Sequence, residues 1–305
     1  MPSIAVLPRP HTAADTQGSN HVLRCPRSVH QLLVAMWRAC LFMRTTAVVR
    51  LCRRVCGLGL FFLFWYLMTT YEVTFYVRFL NFPSPVEVLA EMGKLATSAL
   101  FYTHILTSLE RIYCGFVLAA CLGIPCGILV GWSRPMADLL FPIIELLRPI
   151  PAVAWVPLAI MLWPTERSSI VYITGLGAFF PIVLNTIHGV EGIDTTLIRA
   201  ATSLGATRWA ILREVVLPGA LPSIVTGLSV GMGVSWICLI SAEMVAGQYG
   251  IGYYTWVAYG VVKYPSIVVG MLTIGLLGMG SSVLVYVVGA RLMPWRQRFE
   301  KEHDL

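Results

Sequence analysis

Charge is scarce in this chain: 12% of its 305 residues are Asp, Glu, Lys or Arg, against 57% hydrophobic, and the mean hydropathy is +0.75. A water-soluble domain of this length cannot hide so much apolar surface, which excludes an aqueous globular protein and points to a bilayer. Chemical motifs are missing too. No GxxxxGK[ST] phosphate loop occurs, since the glycine run "GMLTIGLLGMG" lacks the lysine and lies in an apolar stretch. No nucleophile elbow is present. None of the eight cysteines forms CxxC, and Cys52 and Cys56, four apart, have no histidine at ligand spacing. The cysteines read as small apolar residues of helices. No catalytic residue, no metal site and no bound cofactor is therefore expected. The formal charge of +7 and pI of about 9.1 report orientation in a membrane protein before they report nucleic acid.

What is abundant is apolar sequence in runs of membrane length. Crossing a hydrocarbon core takes about 20 residues, and six stretches qualify: 55–71, 108–132, 137–163, 168–190, 221–246 and 266–290. The third is long enough to be tilted or broken, because Pro149, Pro151 and Pro157 each remove a backbone donor. In the second, small residues recur every fourth position, Gly115, Ala119, Gly123, Gly127 and Gly131, a stripe along which another helix can approach closely. Gly227 and Gly231 in the fifth, and Gly270, Gly275, Gly278 and Gly280 in the sixth, give further smooth faces. The expected fold is an all-α bundle of six transmembrane helices, residues 55–290.

Basic residues set the orientation. With a cytoplasmic N-terminus, that side holds sixteen Lys and Arg, the opposite side four (Arg78, Lys94, Arg167 and Lys263), and Arg111 and Arg148 lie near or inside the membrane. Both termini are then cytoplasmic. The opening residues 1–29 have no apolar signal core and read as a disordered tail. Residues 30–54 mix apolar residues with five arginines, as an interfacial helix does. Residues 291–305 form a cytoplasmic tail.

Between the fourth and fifth spans lies "RAATSLGATRWAILREVVLPGALP". Asp194 is placed to cap a short helix with Leu197, Ala201 and Leu204 on one face, and Gly205 to end it in the left-handed conformation. Thr207 caps a second helix, with Trp209, Leu212 and Val216 on one side, until Pro218 disfavours the helical region at Leu217. Helices this short are marginal in water, so the apolar face must dock on the rest of the protein or on a partner.

The order Ala200, Ala201, Gly205, Val215, Leu217, Pro218 resembles the EAA loop of ABC importer permeases, a Glu-Ala-Ala triplet followed by Gly and an Ile-x-Leu-Pro ending. The similarity runs through "RPIPAVAWVPLAIML", "FFPIVLNTIHGVEGID" and "AEMVAGQYGIGYYTW", segments like those of the nitrate, sulfonate, taurine and bicarbonate importer group. The resemblance implies the type I importer permease fold in a bacterial inner membrane. It makes the loop 191–220 a coupling element seated on a separate ATPase through Arg199, Ala200, Ala201, Leu204, Gly205, Leu217 and Pro218. It also implies a permease homodimer, a cytoplasmic ABC ATPase dimer that holds ATP and Mg, and an external substrate-binding protein. Two departures stand out. Arg199 occupies the acidic head of the triplet, and Trp163 and Pro164 replace a Gly-containing turn.

Candidates for lining the path are Arg148, Asn185, His188 and Glu243. Arg148, with Arg111, offers positive charge to an anion, and Glu145 lies one helical turn from Arg148, close enough to neutralise it. The competing class is a secondary transporter or channel working without an ATPase. Such a protein usually places coupling carboxylates in two related halves, and no such repeat is visible.

Overall fold

The computed structural model describes residues 49, 51–71 and 82–293. The expected tail 1–29 and residues 294–305 lie outside them. Of the expected interfacial stretch 30–54, residue 49 and residues 51–54 are described, and the latter belong to helix α1 (Leu51–Thr70). The chain divides into two compact units, 1–63 and 64–305. The described part of the first is the leading portion of α1, whose apolar side chains are exposed, Leu60 and Phe61 among them. The second unit holds everything that follows.

Its helices are α2 (Pro85–Leu95), α3 (Ala99–Trp132), α4 (Arg134–Leu147), α5 (Val156–Leu162), α6 (Glu166–Glu191), α7 (Thr195–Ser203), α8 (Arg208–Ile211), α9 (Leu217–Ala246), α10 (Ile251–Gly260) and α11 (Tyr264–Leu292). A 3-10 turn, Ala152–Trp155, precedes α5, and a π turn, Leu212–Val216, joins α8 to α9. No strand occurs among the described residues. Among the described residues five helical stretches are long and apolar enough to cross a membrane, and there are six if α4 and the 152–162 segment, which meet at 86°, count as one broken span. The break falls where Pro149 and Pro151 stand, as the missing donors require. The second span begins earlier than its apolar run, because Ser98 accepts from the N–H of Phe101 and caps α3 there. α2 carries a capping box, with Ser84 and Glu87 each bonded to the other's backbone N–H.

α6 is the central helix, with α3 on one side and α9 on the other. The small-residue stripe of α3 faces α6. A Cβ on Gly127 would lie 2.6 Å from Thr186 Cβ, and one on Gly131 2.8 Å from Val190 Cβ. On the other flank a Cβ on Gly227 would lie 2.7 Å from Asn185 Cβ. Backbone-to-backbone approach of this kind supplies dispersion contact where lipid gives no hydrophobic drive. The core between the three helices is Ile112, Ile170, Ile173, Ala178, Ile182, Met232 and Leu239, all buried. α11 joins through Trp236, whose indole N–H donates to Ser281 Oγ at 2.7 Å.

Candidate functional site

Two clusters of polar and exposed residues stand at opposite ends of this bundle. At one end, α6 runs into α7 and α8 and the chain returns through α9. Asp194 caps α7 by accepting from the Thr196 N–H at 2.8 Å. That bond, with the Thr196 hydroxyl, holds the carboxyl below its ordinary range. A lowered carboxylate keeps its cap above the ordinary aspartate value and loses it only as pH falls through the folded one. Gly205 follows at φ 82°, a left-handed geometry that a side chain resists, and Thr207 caps α8 by accepting from the Ala210 N–H.

The faces differ from those expected. Ile198 and Ala201 pack against a core of Val190, Ile211, Val216, Ala220 and Ile224. Leu197, Leu204 and Trp209 are instead exposed, at 56%, 88% and 70%. No residue of α7 is buried. Leu217 is helical (φ −61°, ψ −49°), so Pro218 does not end the helix as predicted. The chain absorbs the proline in the π turn, where the Leu217 N–H bonds to Leu212 O. That wider turn relieves the clash of the proline ring with the carbonyl four residues back. It also puts Ile211 and Val216, five residues apart, on one buried face and turns Trp209 outward.

At the other end, charges are buried. Arg111 of α3, 4% exposed, donates from one terminal nitrogen to Glu243 Oε1 at 3.2 Å and to the Tyr249 carbonyl at 2.7 Å, and from the other to Glu166 Oε1 at 2.6 Å. Glu243, near the end of α9, is fully buried and also accepts from Ser108 Oγ at 2.9 Å and the Gly252 N–H at 3.0 Å. Three further backbone donors of the 248–252 turn end on side chains: Gln248 on Glu166, Gly250 on His104 Nδ1 and Ile251 on Ser108 Oγ. The Glu243 carboxylate thus sits at the start of α10, where helix N–H groups favour negative charge. Gly250, at φ 115°, presses so close to that carboxylate that a Cβ would collide with it.

Of the predicted path residues, Glu243 therefore faces protein on every side. Arg148 is exposed and paired with Glu145 at 3.1 Å. Asn185 is half-buried and donates to Pro181 O at 2.8 Å, and His188 is exposed near the end of α6. The structure does not bring these four together. His104, Ser108, Glu166 and the 248–252 turn were not among the predicted path residues. The signal that could have found them was Arg111 itself, since a charge in an apolar span requires a partner. A cavity of about 540 Å³ opens between α3 and α6, walled by Leu118, Leu122, Trp163, Tyr172, Leu176 and Phe179. Its apolar walls do not suit an oxyanion. No cluster of His, Cys, Asp or Glu among the described residues is built for a metal ion.

An all-helical bundle of membrane-length helices, bent at one place and carrying a loop of capped helices, defines a multi-pass membrane protein. Residues 123–298 match the family of the binding-protein-dependent transport system inner membrane component. A putative ABC transporter permease of Methanocaldococcus jannaschii is 41% identical over 67% of this chain and 77% of its own. The taurine transport system permease TauC of Escherichia coli is 33% identical over 76% of this chain and 85% of its own. The nitrate import permease NrtB of a Synechocystis strain is 32% identical over 72% and 82%. Among solved structures, a chain of the MetNI methionine ABC transporter in inward-facing conformations superposes with a TM-score of 0.52 at 21% identity, over 64% of this chain and 95% of that one. The chain belongs to the binding-protein-dependent inner membrane permease family of ABC importers. It is a multi-pass inner membrane transport subunit and not an enzyme, with ATP hydrolysis left to a separate subunit.

Proposed function

We propose that this permease forms the translocation path for a small anion, nitrate or a sulfonate such as taurine, and couples it to a separate ATPase through α7. The observation that carries the coupling is the exposed apolar edge of Leu197, Leu204 and Trp209 on a loop with capped helices. A nine-residue helix with no buried residue is not self-sustaining, and an apolar partner surface would complete it. Arg199, Ala200 and Ser203 share its outward side, so the docked partner meets one positive charge among small residues. The partners are two cytoplasmic ATPase subunits carrying ATP and Mg, an external substrate-binding protein and a second copy of this chain. The loop end is cytoplasmic, with both termini, which agrees with the distribution of Lys and Arg.

The anion reading rests on the names of the taurine and nitrate permeases similar to this chain. Arg111 and Arg148 are both paired with carboxylates, so this chain is permissive toward its cargo and selection falls to the binding protein. The test is ATP-dependent uptake in vesicles containing the whole transporter and its binding protein. Labelled nitrate, taurine, alkanesulfonates and bicarbonate are compared with a cationic amino acid. Uptake of one of the anions is expected; uptake of the cation alone would overturn the substrate class.

A further inference from the structure

The two helices that the coupling loop joins are joined again at their far ends. α6 enters the loop and α9 leaves it. At the opposite end Glu166, the first residue of α6, and Glu243, in the last turn of α9, bind the same guanidinium, that of Arg111. At 26 and 30 residues, the helices are roughly 39 and 45 Å long. Any displacement of α6 against α9 started at the loop must therefore stretch one arm of Arg111.

Static reinforcement does not call for charge at this place. A buried ion pair is no more stabilising than well-packed apolar residues of the same volume, and its best attested use is in setting a register or a switch. The bonding of the turn has the same character. Its four N–H groups at 248, 250, 251 and 252 end on side chains of three different helices, bonds that exchange by side-chain rotation without unwinding a helix. The Nε–H of Arg111 is buried without a partner among the described residues, so the network is not fully satisfied as it stands.

We propose that Arg111, Glu166 and Glu243 form an ionic latch, closed in this structure, that opens and re-forms in each transport cycle, with Arg111 its positioning residue. The proposal rests on the reading of the chain as an ATP-coupled permease.

The experiment ties α3, which carries Arg111, to the turn that follows Glu243. In a cysteine-free background, Ser108→Cys with Ile251→Cys puts one thiol on each of two neighbouring residues, the backbone N–H of Ile251 now donating to Ser108 Oγ at 2.8 Å. In the whole transporter, oxidised and confirmed cross-linked, ATPase association should persist, while uptake falls at least tenfold and returns on reduction. A permanently closed structural joint would be indifferent to the cross-link, so normal uptake by the cross-linked form overturns the latch. A second measurement needs no cross-link. Arg111→Gln, or the milder Glu166→Gln, should raise ATP hydrolysis in the absence of binding protein at least threefold, because the far ends separate more easily. Hydrolysis that is unchanged, or that falls in proportion to folded protein, overturns the proposal. Loss of ATPase association in the parent protein would instead count against the coupling assignment.

Discussion

Gly127 of α3 sits tightly against α6, and adding one methyl group there tests the packing of the two helices. In Gly127→Ala the new Cβ would stand 2.6 Å from Thr186 Cβ and 2.8 Å from Val183 O. Carbon atoms are comfortable at about 3.5–4.0 Å, so the helices must part locally by roughly 1 Å. Neither neighbour can swing aside: Thr186 is buried with its hydroxyl bonded to Ile182 O at 2.7 Å, and Val183 contributes backbone. Overpacking of this kind costs about 1–3 kcal/mol. At about 2–4 °C per kcal/mol for a chain of this size, a mid-range cost lowers the midpoint by roughly 4–8 °C. The assay is thermal unfolding of purified protein in mild detergent. Gly275→Ala is the control, since a Cβ at Gly275 meets nothing within 4 Å. Equal midpoints for the two variants would refute the claim that the α3 stripe is a contact surface.

The coupling face is separable from the docking of α7 on its own bundle. Leu204→Asp changes only an exposed side chain, so it should abolish ATPase co-purification while leaving the midpoint unchanged, whereas Ala201→Glu, on the packed face, should lower both. Gly205→Val should reduce uptake without removing the permease from the membrane, because a β-branched residue resists φ 82°; wild-type uptake would show that the left-handed turn is dispensable. For topology, a maleimide applied from outside should label Lys263→Cys and miss Ser203→Cys in a cysteine-free background, and the opposite pattern would invert the assigned orientation.

The spans were legible because their signal is local: about 20 apolar residues in a row read the same in any context. The bend at Pro149 and Pro151 was legible for the same reason, as were the caps at Asp194 and Thr207. The Arg111 cluster was not. Its members come from positions 104, 108, 111, 166 and 243 and from a turn that donates backbone N–H groups, and backbone donors leave no trace in residue identity. Asn185 and Glu243 were read as possible path residues because polarity in a span marks either a path or a partner. Only packing distinguishes the two, and for Glu243 it supplies partners on every side.

The clearest miss, the outward turn of Trp209, yields a prediction of its own. An α-helix advances about 100° per residue, so Ile211 and Val216, five apart, would stand roughly 140° apart on one. Both are buried, at 4% and 0%, because the π turn between them lets residues five apart stack. The helix thus holds one residue more than a plain α-helix needs to keep both faces inward. Deleting Glu214, which is exposed, should return the segment to α-helix with Ile211 and Val216 four apart and still facing the core. That form sets Pro218 against the carbonyl four residues earlier, at a cost of about 3 kcal/mol, so the deletion is paired with Pro218→Ala. The paired variant should keep ATPase association and uptake. Inserting one alanine after Glu214 should instead rotate α7 and α8 by about 100° against α9, taking Ile211 out of the core and abolishing coupling while the spans still assemble. If the insertion variant transports as well as the parent, the phase between the loop and the fifth span carries no mechanical role, and α7 does not couple the spans to the ATPase.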